Sequence, residues 1–104
     1  MPLLNDAEIT AQLKTVPQWT RDGHRIRRQF ECASFPDAMA FLMRVAFDAE
    51  AADHHPDITV DYKKVTLTNW THNDGGLTEK DFAGAAAADK TAARFVSAGK
   101  AAGV

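Results

Sequence analysis

Between Phe35 and Asp53 apolar side chains recur at helical spacing: Ala38, Phe41, Leu42, Val45, Ala46 and Ala49 form one stripe. At 3.6 residues per turn these positions share a face, so the run predicts an amphipathic helix that must bury that face. Both ends are marked. Ser34 precedes the run and can accept from the free N–H groups of the first turn; Asp37 stands three residues on, and Pro36 sits where a missing N–H costs little. At the far end Pro56 disfavours helical geometry at His55, so the helix stops at or before the pair His54–His55. An isolated helix of this kind is marginal in water, and its neighbours decide what it packs against.

Those neighbours are hairpins. Upstream, Gln18-Trp19-Thr20 reads as extended, and Asp22-Gly23 signals a tight turn. His24 to Phe30 then alternates, with Ile26, Arg28 and Phe30 on one side and Arg25, Arg27 and Gln29 on the other. Downstream, Ile58, Val60 and Tyr62 alternate with Thr59 and Asp61. Lys63-Lys64 turns the chain, and Val65, Leu67 and Asn69 alternate with Thr66, Thr68 and Trp70. A short helix opens the chain: Asn5-Asp6-Ala7-Glu8 is a capping box, Ile9, Leu13 and Val16 follow at helical spacing, and Pro17 ends it. Asn73-Asp74-Gly75-Gly76 is a loop, and Thr78-Glu79-Lys80-Asp81 starts the last helix. There Phe82, Ala86 and Phe95 are expected to be buried, and the alanine content should carry the helix to Ala98–Ala101. The order α-β-β-α-β-β-α predicts an α+β fold, a four-stranded antiparallel sheet with three helices on one face. At 104 residues the chain is expected to form one domain, residues 1–104.

Composition narrows the function classes. A net charge of -2 removes the electrostatic case for nucleic acid or an anionic membrane. Cys32 is the sole cysteine, which rules out an intrachain disulfide and fits a reducing, cytoplasmic setting. Met1 to Glu8 has no basic stretch followed by an apolar run, so no secretory signal is expected. Asp89, Lys90, Arg94 and Lys100 argue against a membrane span in the alanine-rich tail.

The titratable side chains cluster around His54 and His55. Glu50 and His54 are four apart, hence on one helix face. His72 ends a strand beside a glycine-rich loop, and Asp81 lies in the first turn of the last helix. If the strand carrying His72 pairs near the segment leaving Pro56, all of these border one cleft. Each also has an ordinary structural role. His54 and His55 could cap a helix, His72 could be a loop histidine, and Glu50 a surface carboxylate. Asp81 suits the third position of a capping box with Thr78, and Trp19 and Trp70 suit a core or sheet face. Two chemistries compete. Histidine titrates near neutrality, so a positioned pair can donate one proton and accept another. Three histidines with Asp81 or Glu50 would instead satisfy a tetrahedral zinc ion. Adjacent histidines chelate poorly from a helix, and neither an HxH nor an HExxH motif is present, so acid–base chemistry is the stronger reading.

The run Glu50-x-x-x-His54-His55-Pro56, then Tyr62, Thr71-His72 and Gly76-Leu77-Thr78-Glu79-Lys80-Asp81, closely resembles the pterin-4a-carbinolamine dehydratases. Trp19 before the first hairpin and the helix segment Ala40 to Ala46 extend the match. The resemblance implies the four-stranded sheet with three helices and assembly as a homodimer or homotetramer. It also implies dehydration of 4a-hydroxytetrahydropterin to quinonoid dihydropterin during tetrahydropterin recycling, with no metal or redox cofactor. By motif position, His54 and His72 would transfer protons and His55 would orient the pterin ring. Asp81 would hold the imidazole of His72 or keep the cleft's histidines basic. Glu50, Pro56 and Trp19 would border the substrate. One departure stands out: members often carry a tryptophan just after His-His-Pro, where this chain has Asp57-Ile58-Thr59. The competing reading is a non-catalytic dimerisation or binding module, since some animal relatives stabilise dimers of a transcription factor. An exposed final strand pairing across a two-fold axis, or the alanine-rich last helix packing on a copy, would serve assembly.

Overall fold

The computed structural model describes residues 2–96. Along the chain run α1 (Asp6–Leu13), β1 (Thr20–Asp22), β2 (Arg25–Glu31), α2 (Phe35–Ala52), β3 (Asp57–Asp61), β4 (Lys64–Asn69) and α3 (Glu79–Ala92). This is the predicted α-β-β-α-β-β-α order, and the strands form one antiparallel sheet in the order β1-β2-β4-β3.

The two hairpins join through β2 and β4, in a register that runs from Ile26 opposite Asn69 to Glu31 opposite Lys64. The last strand is therefore central, and β1 and β3 are the edges, which corrects the expectation of an exposed final strand. Composition explains the choice. Val65, Leu67 and Asn69 of β4 are buried, whereas every residue of β3 is exposed. The strand with more apolar surface to hide takes the interior.

One face of the sheet carries the core. Ile26, Phe30, Val65 and Leu67 are buried with Ile9 of α1, Phe41 and Val45 of α2, and Phe82 and Ala85 of α3. Removing each large apolar side chain from water stabilises the fold by about 1.5–3 kcal/mol. Arg28 shares this inward parity yet is accommodated. Its guanidinium lies 4.2 Å from the Phe30 ring centroid and donates to Asp89 Oδ1 at 2.7 Å. The same oxygen accepts from Trp19 Nε1 at 2.8 Å.

The caps read from sequence are present. Asn5 and Glu8 form the reciprocal box of α1, and Ser34 accepts from the Asp37 N–H at the start of α2. Helix α2 ends at Ala52, with Asp53 in the left-handed region at φ 51° and ψ 43°. That conformation costs a side chain about 1–2 kcal/mol, less for aspartate, and it turns the histidine pair out of the helical path.

Helix α3 differs from expectation in two respects. Its buried face is Phe82, Ala85, Ala88 and Ala92, and Ala86 is exposed. The helix is rotated so that Asp81 also points inward. It stops at Ala92, short of Ala98–Ala101, which lie outside the described residues. Alanine propensity is a few tenths of a kcal/mol per residue and yields to tertiary contacts. Phe95 O accepts from Ala33 N at 2.9 Å, and Val96 bridges Cys32, so the chain leaves the helix to close the end of β2. Phe95 is half-buried, its ring 6.1 Å from that of Phe41.

Cys32 lies in this closed corner with no exposed surface. Burial, and secondarily the Asp37 carboxylate, push its thiol pKa up. Since the thiolate is the reactive form, a disulfide reagent such as DTNB is expected to label Cys32 slowly in the native protein at neutral pH and rapidly in guanidinium. Equal rates in both conditions would contradict the burial.

Candidate active site

The site is built outward from Asp81, which has no exposed surface. Its Oδ2 accepts from the Thr78 backbone N–H at 2.9 Å and from Thr71 Oγ1 at 2.9 Å. The two threonine hydroxyls lie 2.8 Å apart, and Thr78 Oγ1 also accepts from Lys80 N at 3.3 Å. The Asp81 carbonyl accepts from Asn69 Nδ2 at 3.1 Å. The carboxylate thus caps α3, as the capping-box reading required, and still has Oδ1 to offer. His54 Nε2 donates to that oxygen at 2.7 Å. A carboxylate can only accept, so the bond places a proton on Nε2 and leaves Nδ1 as the nitrogen free to meet a ligand.

The His54 side chain is 15% exposed and, with Pro56, lines a cavity of about 220 Å³. The cavity lies between α2 and α3 above β4, where Ala49 and Ala52 face Gly84, Ala87 and Ala88. Small side chains on both helices leave the space open. Asn69 also lines it, and its Oδ1 is buried with no hydrogen-bond partner among the described residues. By sequence alone Asn69 is one of the alternating positions of its strand. An unmade bond of this kind costs about 1–3 kcal/mol.

His55 points elsewhere. It is exposed, and its Nε2 pairs with Glu50 Oε1 at 2.8 Å. Spacing placed Glu50 on one face with His54, but the left-handed turn at Asp53 brings His55 back to Glu50 instead. In the same way, the imidazole held by Asp81 is that of His54, not His72.

His72 follows Thr71 directly, so it is one residue from the Asp81 network. Thr71 N donates to Gly76 O at 2.8 Å, and Gly75 takes φ 72°, a conformation that favours glycine, to close the loop. Thr71 turns its hydroxyl inward, while His72 is exposed and lies against Trp70 at a centroid distance of 4.1 Å. Trp19 does not line the cavity. It is 4% exposed, packs edge-on against Phe30 in the core and donates to Asp89. Among the described residues, no three His, Cys, Asp or Glu side chains are placed together to hold a metal ion. One imidazole, that of His54, is thus anchored by a buried carboxylate beside a cavity, an arrangement suited to proton transfer, while His55 and His72 are exposed and lie against Glu50 and Trp70.

Comparison with known proteins identifies the family. Residues 2–91 match the family model for pterin 4 alpha carbinolamine dehydratase. A protein of Roseiflexus castenholzii, provisionally named pterin-4-alpha-carbinolamine dehydratase, is 56% identical over 88 residues, covering 85% of this chain and 95% of its own. One from Chloroflexus aurantiacus with the same name is 54% identical over 90 residues, covering 86% and 97%. Among solved structures, a transcriptional coactivator/pterin dehydratase from Brucella melitensis superposes with a TM-score of 0.85 at 30% identity, covering 88% of this chain and 99% of that one. A pterin dehydratase-like protein identified as a RuBisCO assembly factor in the alpha-carboxysome superposes with a TM-score of 0.60 at 25% identity, covering 71% and 86%. With a model matched across most of its length and relatives above half identity, the chain belongs to the pterin-4a-carbinolamine dehydratase family.

Proposed function

We propose that this protein is a hydro-lyase that converts 4a-hydroxytetrahydropterin to quinonoid dihydropterin and water by histidine acid–base catalysis. In the substrate, C4a bears a hydroxyl beside N5–H. The C4a–O bond breaks as the N5 lone pair forms the C4a–N5 double bond. The departing hydroxyl takes up one proton, and N5 gives one up, so the balance is the loss of one water. Because the N5 lone pair expels the oxygen, the step needs no redox agent. His54 and His72 serve as the proton-transfer groups on the two sides of the pterin, and His55, paired with Glu50, orients the ring. Asp81 acts through His54, fixing which nitrogen faces the substrate. The observation that carries this reading is the His54–Asp81 pair, with Asp81 fully buried and His54 beside a cavity.

The test is a coupled assay with a tetrahydropterin-dependent aromatic hydroxylase, which releases the carbinolamine. The intermediate's absorbance is expected to decay faster when this protein is added. An unchanged decay would remove the dehydratase reading. We place this activity, and its role in tetrahydropterin recycling, in the cytoplasm.

A second reading, as a binding module, is favoured by a specific surface. Phe35, Met39, Met43 and Phe47 stand at four-residue steps along α2, with exposures of 46%, 39%, 50% and 68%. This stripe is opposite the buried one. An exposed apolar patch of this kind marks an interaction surface, and the names of two structural relatives couple the fold to coactivation and to assembly. We assign the stripe first to a second copy of the chain, as a homodimer or homotetramer. Light scattering after gel filtration is expected to show an oligomer that Phe47→Asp with Met43→Asp converts to a monomer. A monomeric parent would exclude self-association.

A further inference from the structure

The open face of the sheet carries a second cluster centred on Trp70. Its ring lies 4.1 Å from the His72 ring, centroid to centroid, at an interplanar angle of 42°. The Arg25 guanidinium stands 4.8 Å from the indole centroid, and the His24 ring meets it edge-on at 5.6 Å. The indole Nε1 donates to Asp57 Oδ2 at 3.1 Å. Asp57 opens β3 and lies two residues beyond His55.

Two facts give the cluster a role. First, the His72 imidazole makes no hydrogen bond among the described residues, and its ring lies against Trp70. His54 and His55, by contrast, are each held by a carboxylate. Second, the indole touches both halves of the candidate site, His72 through its ring and the segment leaving Pro56 through its N–H. From this geometry we infer that Trp70 is the positioning residue for His72, setting that imidazole's orientation and its distance from the His54–His55 segment.

The physical basis is that an exposed imidazole without a hydrogen-bond anchor samples several rotamers, and a misplacement of about 1 Å can cost on the order of 100-fold in rate. Aromatic packing restricts the ring without occupying either nitrogen, so both remain available for proton exchange. Asp57 prevents the indole from rotating away, and Arg25 packs on the same ring system.

The kinetic consequence rests on the dehydratase reading; the geometric one does not, and the test separates them. In ¹H NMR the Cε1–H of His72, assigned by its loss in His72→Gln, is expected upfield of an exposed histidine's because of the indole ring current. Trp70→Leu should return it to the exposed position, whereas Trp70→Phe should retain most of the shift. Trp70→Leu is expected to lower kcat/KM by about 10- to 100-fold with KM little changed, and Trp70→Phe to restore most of it. If Trp70→Leu does not fold, Asp57→Ala, which keeps the indole but frees it, should show a smaller movement of the same resonance. A His72 signal unmoved by these changes overturns the inference, as does parental kcat/KM in folded Trp70→Leu. A parent without dehydratase activity whose His72 signal still moves in Trp70→Leu overturns the proposed function and leaves the positioning role standing.

Discussion

With His54 and His72 both replaced by alanine, the carbinolamine is expected to decay at its uncatalysed rate whether or not the protein is present. The expectation follows from how little else the reaction requires. In the proposed reaction, expulsion of the hydroxyl is driven from within the substrate, so what is asked of the protein is placed proton transfer, worth about 100- to 10,000-fold. Removing one histidine leaves the other and His55 to act with water, so the single changes should not add up to the double. The fold should survive. His72 is exposed, and losing His54 still leaves Asp81 accepting from Thr71 and Thr78. Circular dichroism of the double variant checks this, and the coupled assay reads the rate. A folded double variant that still accelerates the decay would mean the chemistry lies on other residues.

The largest stability effect is expected at Asp81. Replacing it by alanine leaves the Thr78 N–H, the Thr71 hydroxyl and the His54 Nε2–H without their acceptor at a fully buried position. Each orphaned donor costs about 1–3 kcal/mol. A domain of this size has about 5–15 kcal/mol in total, so much of the stability is at stake. In guanidinium the midpoint should fall sharply at an unchanged m-value. Asp81→Asn separates structure from chemistry. It keeps the shape and one acceptor for the cap, but it presents an NH₂ or a weaker acceptor to His54. We expect it to fold with a modest loss of stability and a large loss of kcat. Unchanged stability of Asp81→Ala would mean that water satisfies these donors and that the network is not structural.

Much of the architecture was legible because its signals are local. The boxes Asn5–Glu8 and Thr78–Asp81 depend on groups three residues apart, and the stop before Pro56 depends on a steric clash between neighbours. The buried Ala38, Phe41, Val45 and Ala49 follow from helical periodicity alone. Of the candidate residues, His54 and Asp81 meet directly, and His72 follows Thr71 of the same network in sequence.

What spacing could not decide is which of these residues meet. Glu50 faced His54 on a continued helix; a single left-handed residue, Asp53, turned the chain so that Glu50 meets His55. Asp81 met His54 because α2 and α3 lie side by side on the sheet, a contact between residues 27 apart in sequence. The same holds for Trp19, which spacing could not tell from a cleft residue and packing placed in the core. It holds for the end of α3, where Phe95 and Val96 docking on β2 outweighed alanine's helix preference.

By itself, then, the sequence determined the elements, their order, their caps and the kinds of titratable side chain the chain carries, because these rest on residue identity and on interactions within a turn or two. Only the tertiary structure decided that β4 lies at the sheet's centre, that Asp81 holds His54, and that Trp70 links His72 to Asp57. Those outcomes depend on which apolar faces pack together, and packing is a property of the whole chain.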